Sequence, residues 1–168
     1  MFRFTWSLTV SDLLSVPDAL DRILAHFARL PTELIPLEQA LGRVLAQDAV
    51  APFSLPPFAN SSMDGFAVRA DDVRGAPIRL RVIGDIPAGI APAFTLQTGD
   101  AARIMTGAML PEGADAVVPV EDTDAAWSAG DHVTLPESVG VLKAVKAGDY
   151  IRPVGEDIHA GEVFLTAG

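Results

Sequence analysis

The chain of 168 residues contains no cysteine. Disulfides, thiolate metal sites and cysteine nucleophiles are therefore excluded. Histidine is scarce: His26, His132 and His159 lie far apart, with no close-spaced pair to suggest a metal site. Positive charge is also short, 12 Lys and Arg against 22 Asp and Glu, for a net of -10. A surface of that sign does not suit nucleic acid or an anionic membrane. No apolar run reaches the about eighteen residues of a membrane helix. The longest charge-free run, Ala49 to Met63, holds three prolines, three serines and Asn60. The N-terminus lacks a basic-then-apolar-then-small pattern, so no signal peptide is read and a cytoplasmic location is expected. Trp6, Trp127 and Tyr150 are too few and too scattered for a base-stacking platform. No Ser-His-Asp ordering with a nucleophile elbow is present.

What is present is apolar. Hydrophobic residues make up 49% and charged residues 20%, which supports a packed core in one domain or two small ones. The mean hydropathy of +0.32 points to apolar surface covered by a second subunit or a further domain.

Helix signals fall in the first fifty residues. Ser15 is placed to cap a helix, with Asp18 near its positive end. Val16, Ala19, Leu20, Ile23, Leu24 and Phe27 then mark one helical face, and Pro31 stops it. Leu37, Ala40, Leu41, Val44 and Leu45 predict a second, shorter helix. Prolines 52, 56 and 57 mark a domain crossing or an extended arm. Beyond them, strands are predicted at 78–84, 101–105, 115–120, 132–135 and 139–145, with one or two more in the final stretch. The pattern is that of a mostly antiparallel β domain.

Between Gly107 and Leu142 stand seven carboxylates and no Lys or Arg. A solvated acidic face explains most of them; a field that holds a divalent cation or meets a basic partner is the sharper alternative.

Three segments combine turn-formers, hydroxyls and carboxylates. In 56–72, two prolines precede Asn60, Ser61 and Ser62, and Asp64-Gly65 reads as a turn that displays one carboxylate. In 103–119, Thr106-Gly107 follows a short apolar run, where a hydroxyl and glycine amides can hold an oxyanion or simply cap a turn. It is not a nucleotide P-loop. In 152–161, Arg152 faces the adjacent Glu156 and Asp157, either as a structural ion pair or as part of a metal or partner site.

Taken together and in order, LPPFANSSMDGFAVRADD, RIMTGAMLPEGADAVVPVED and IRPVGEDIHAGE resemble the N-terminal part of the molybdopterin molybdenumtransferases. These are MoeA in bacteria and the E domain of gephyrin in animals. Upstream, LEQALGRVLAQDAVAPFSLP is similar to the segment preceding the family's Pro-Pro-Phe motif. The likeness runs from about Ser11 to Gly168, and four ordered motifs make it specific.

The resemblance implies a fold that is mainly β with N-terminal helices (α+β), with bifurcated, coiled β-sheets in an elongated two-domain arrangement. Domain I is expected at 1–52 plus 147–168, and domain II, a β-rich insertion, at 53–146. It implies insertion of molybdenum from molybdate into adenylylated molybdopterin, with release of AMP and with Mg²⁺ required. It also implies a homodimer whose cleft lies between the second domain of one subunit and the α/β third domain of the other.

Carried over by motif, Asp64, Thr106 and Asp157 are the catalytic candidates, with Asp64 and Asp157 as cation ligands. Ser62, Gly65 and Gly107 are the candidates for contact with substrate. Two positions depart from the family pattern. Ala59 stands where the family has an Asp, and Phe66 where it has a Tyr. The chain ends at Gly168, about where the third domain would begin, so it is expected to supply one wall of the cleft. The alternative is a dimerisation or scaffold module without catalysis.

Overall fold

A computed structural model describes residues 13–125 and 134–168. The chain divides into two units, 1–46 and 47–168.

In the first unit, α1 spans Val16–Leu24. Ser15 caps it as the sequence predicts. Its hydroxyl accepts from the Asp18 amide at 3.2 Å, satisfying one of the free N–H groups of the first turn. The helix ends at Leu24 rather than near Pro31, so Phe27 falls outside it. The second predicted helix is not formed. Residues 37–39 make a single 3-10 turn, and Gly42, with φ of 79°, breaks the pattern behind it. No described side chain of this unit is buried.

The second unit is built of β1 (Ala49–Val50), β2 (Asn60–Ser61), β3 (Gly65–Val68), β4 (Ile78–Ile86), β5 (Asp100–Ile104), β6 (Ala116–Pro119), β7 (Ser138–Val141), β8 (Ile151–Arg152) and β9 (Val163–Leu165). A five-stranded sheet runs β6-β3-β5-β4-β7, and β1-β9 and β2-β8 form two short pairs. All pairings are antiparallel except β4 with β5. Of the expected strand at 132–135, Thr134 and Leu135 are not in a strand, and the rest lies outside the described residues.

The central sheet is covered on both faces. Phe66, Val68, Ala101, Ala116 and Val118 enter one buried cluster, while Ala67, Ala102, Ile104 and Val117 enter the other. Successive strand residues point to opposite faces, so β3 and β6 bury every position and read as unbroken apolar runs. Burying a side chain such as Phe66 or Ile104 stabilises the fold by about 1.5–3 kcal/mol. Phe66 lies inside this core, at 1% exposure, so a hydroxyl there would need a buried partner.

Candidate active site

Register brings two of the three motif segments together. In the β3–β5 pair, Gly65 stands opposite Ile104, which sets Asp64 beside the residues that follow β5. The Asp64 carboxylate turns to that end. Its Oδ1 accepts from the Thr106 amide at 2.8 Å and from the Thr106 hydroxyl at 2.7 Å. Both residues are exposed. Oδ2 makes no hydrogen bond among the described residues, so one carboxylate oxygen faces out while the other is held from two sides.

Asp64-Gly65 is not the turn that the sequence suggests. Gly65 opens β3, and its backbone is not in the left-handed region. Glycine is required by proximity instead: a Cβ there would come within 2.1 Å of the Val118 carbonyl oxygen of β6. The turn lies in the second motif, where Gly107 takes φ of 79° and Ala108 N donates to the Met105 carbonyl at 3.0 Å.

β2 joins this turn to the third motif. On one side the Gly107 amide donates to the Ser61 carbonyl at 2.8 Å, and the Ser61 amide to that of Ala108 at 3.0 Å. On the other, Ser61 pairs with Ile151 and Asn60 with Arg152. Ser62 donates its amide to the Tyr150 carbonyl at 3.0 Å. Ser61 is fully buried, and its hydroxyl donates to the Met63 carbonyl at 2.5 Å, fixing the bend that leads to Asp64.

These bonds settle what the Thr-Gly turn has left to offer. The amides of Thr106, Gly107 and Ala108 all have partners within the chain, and the Thr106 hydroxyl proton is given to Asp64. The arrangement is therefore not an open oxyanion cradle of amides. It is an exposed carboxylate oriented by a hydroxyl and an amide.

Asp157 sits differently. Arg152 Nη2 lies 2.8 Å from each of its oxygens, and Arg152 Nε lies 2.6 Å from Glu156. The structural ion pair is thus the arrangement formed. Glu156 first, then Asp157, hold the guanidinium's proton above its ordinary range. The Leu-Pro-Pro segment pins this loop from behind: Gly155 N donates to the Pro56 carbonyl at 3.0 Å and Asp157 N to that of Leu55 at 2.9 Å. No hydrogen bond links Asp157 with Asp64 or Thr106 among the described residues.

Sequence reasoning passed over one further pair. Arg103 on β5 meets Asp85 on β4 in a two-pronged bond, Nε to Oδ1 at 2.7 Å and Nη2 to Oδ2 at 2.8 Å. The Arg103 hydrogen bond is the main cause that keeps Asp85 below the usual carboxylate range. The available signal was an Arg inside a short strand, three residues before Thr106, with an Asp at the far end of the preceding strand.

Among the described residues no group of three carboxylates or histidines converges as a metal site. The Mg²⁺ implied by the resemblance does not fit this chain alone. Asp157 shares both oxygens with Arg152, leaving Asp64 Oδ2 as one free donor where an octahedral ion wants several. No described helix is long and apolar enough to cross a membrane.

Comparison with known proteins bears on the family and the fold. The family profile described as MoeA N-terminal region (domain I and II) matches residues 14–168. Molybdopterin molybdenumtransferase 2 of Mycobacterium tuberculosis is 47% identical over 152 residues, covering 88% of this chain and 35% of that protein. Molybdopterin molybdenumtransferase of Bacillus subtilis is 41% identical over 158 residues, covering 91% and 35%. A crystal structure of the molybdopterin biosynthesis moeA protein from Pyrococcus horikoshii superposes with a TM-score of 0.79 at 36% identity, over 94% of this chain and 40% of that one. The chain thus spans 35% of the length of each of these two transferases.

Proposed function

The chain belongs to the MoeA family, matching its N-terminal region, and on that premise we propose that it forms one wall of a composite molybdenum-insertion site. At that site molybdate enters the dithiolene of adenylylated molybdopterin and AMP leaves. The observation that carries the reading is the exposed Asp64–Thr106 pair, set where three motif segments are bonded together.

Each residue has a role that its bonds allow. Thr106 holds Asp64 by Oδ1 and thereby aims Oδ2 at the substrate. That oxygen can take a proton or bind a metal-bound water; P–O cleavage itself needs the groups of the facing wall. Ser62 and Gly107 flank the carboxylate as contact surface. Asp157, clamped by Arg152, shapes the loop beside β2. Any Mg²⁺ at this site draws most of its ligands from outside the chain. The net charge of -10 fits this division, with basic groups for molybdate and phosphate supplied by the family's α/β third domain. The division into domain I (1–52 plus 147–168) and domain II (53–146) belongs to the same proposal.

The experiment supplies the chain with the remaining domains of a relative and measures AMP release from adenylylated molybdopterin. Turnover that Asp64→Asn lowers sharply, to a residual rate that can still be measured, supports the reading. Assembly without turnover overturns it in favour of a scaffold module. One observation favours that second reading as an added role. In the first unit Leu20, Ile23 and Leu24 of α1 are 53–56% exposed, and Leu34 and Leu41 more so. Apolar surface of this kind suits a second subunit, and a homodimer is the arrangement proposed.

A further inference from the structure

Backbone geometry singles out Tyr150. Among the described residues it is the one non-glycine residue with a positive φ, 58°. That left-handed region crowds a Cβ, and glycine or asparagine enters it more readily than a large aromatic residue. The need for it is local. Residues 146–149 form a turn in which the Lys146 amide donates to Asp149 Oδ2 at 2.7 Å and the Asp149 amide to the Lys146 carbonyl at 3.0 Å. One residue later the chain must enter β8, with the Tyr150 carbonyl accepting from Ser62 N. All of this is backbone work, which glycine does without strain.

Side-chain hydrogen bonding does not account for a tyrosine. Its residue is 38% exposed, and the phenol hydroxyl makes no hydrogen bond among the described residues. Strain at a residue whose side chain neither joins the buried core nor hydrogen-bonds within the fold points to a ligand. The position agrees. Tyr150 is bonded to Ser62, two residues before Asp64, and stands two residues before Arg152, which clamps Asp157.

We propose that Tyr150 is an aromatic specificity residue of this wall, stacking on a flat, fused nitrogen heterocycle of the substrate. Adenylylated molybdopterin carries two such rings, adenine and pterin, and either presents a π-face to a phenol ring. The identity of the ligand rests on the function proposed above; the strained backbone and the exposed ring do not.

The chain holds a single tyrosine, so a sample with ¹³C-labelled tyrosine rings reports this residue alone by NMR. The full chain is titrated separately with AMP, with neopterin and with ribose 5-phosphate. The expected result is a saturable upfield shift of the ring signals with AMP or neopterin and none with ribose 5-phosphate; the responding compound identifies the ring. By calorimetry Tyr150→Phe keeps that affinity, whereas Tyr150→Gly loses roughly tenfold while unfolding at a higher temperature. Ring signals that neither heterocycle moves, up to its solubility limit, overturn the proposal. So does a Tyr150→Gly chain that binds as tightly as the parent, even if it is more stable. AMP release by the complemented protein with an unmoved tyrosine rejects this inference alone. A shifted tyrosine without AMP release rejects the transferase reading and leaves a heterocycle-binding face.

Discussion

Asp64 is aimed by what it accepts. With Oδ1 taking two hydrogen bonds from Thr106, the carboxylate cannot rotate without losing both, and Oδ2 is left pointing free. In the proposed site Thr106 is therefore a positioning residue. Thr106→Val is expected to lower AMP release by the complemented protein by roughly tenfold, and Thr106→Ser to restore most of it. Circular dichroism should show both variants folded, since Thr106 is exposed. Gly65 makes a prediction of the opposite kind. Gly65→Ala forces a Cβ against the Val118 carbonyl and should destabilise the chain by about 1–3 kcal/mol in urea unfolding. A loss under ~0.5 kcal/mol would show that β3 and β6 can part at no great cost.

Among the elements, β3 and β5 matter most, because their antiparallel register brings two distant motifs together in the proposed site. Ile104, the β5 residue opposite Gly65, is fully buried, and Ile104→Ala should cost about 2–5 kcal/mol by denaturant unfolding. The Arg103–Asp85 bond ties β5 to β4. Asp85 is held below the usual carboxylate range in the fold, so its contribution is complete above the unfolded value near pH 4 and is lost as pH falls through the lower folded value. Thermal unfolding below about pH 4 should therefore fall more steeply for the parent than for Asp85→Asn. The pair is partly exposed, so the difference stays under ~1 kcal/mol.

These elements also show what could be read in advance. β4 was legible because Ile78–Val82 alternates apolar with charged residues, and β5 and β6 because Ala101-Ala102 and Ala116–Pro119 are short apolar stretches between turn residues. The Ser15 cap was legible because its hydroxyl acts on a neighbour three residues away. The role of Gly65 was not, since it depends on a carbonyl more than fifty residues along the chain. The Asp64–Thr106 bond was hidden likewise, by a register that only the folded sheet sets. The second helix misled because its apolar spacing is right, yet no described residue of that segment is buried to hold it.

For the whole molecule, the two units contrast. Residues 47–168 carry a sheet buried on both faces, whereas the described part of 1–46 buries no side chain. The proposed homodimer gives that apolar surface a use. Sedimentation should show a dimer, and Leu20→Glu with Leu24→Glu should yield a monomer with the sheet unit intact; an unchanged dimer would place the interface elsewhere.

The central claim is that Asp64 and Thr106 act as one group on a substrate held from a second wall. Its most direct measurement is a double-mutant cycle on AMP release, with Asp64→Asn, Thr106→Val and the pair in the complemented protein. The account predicts that Thr106→Val changes nothing further once Asp64 is Asn, because there is no longer a carboxylate to aim. Two independent losses that multiply in the double variant would contradict it.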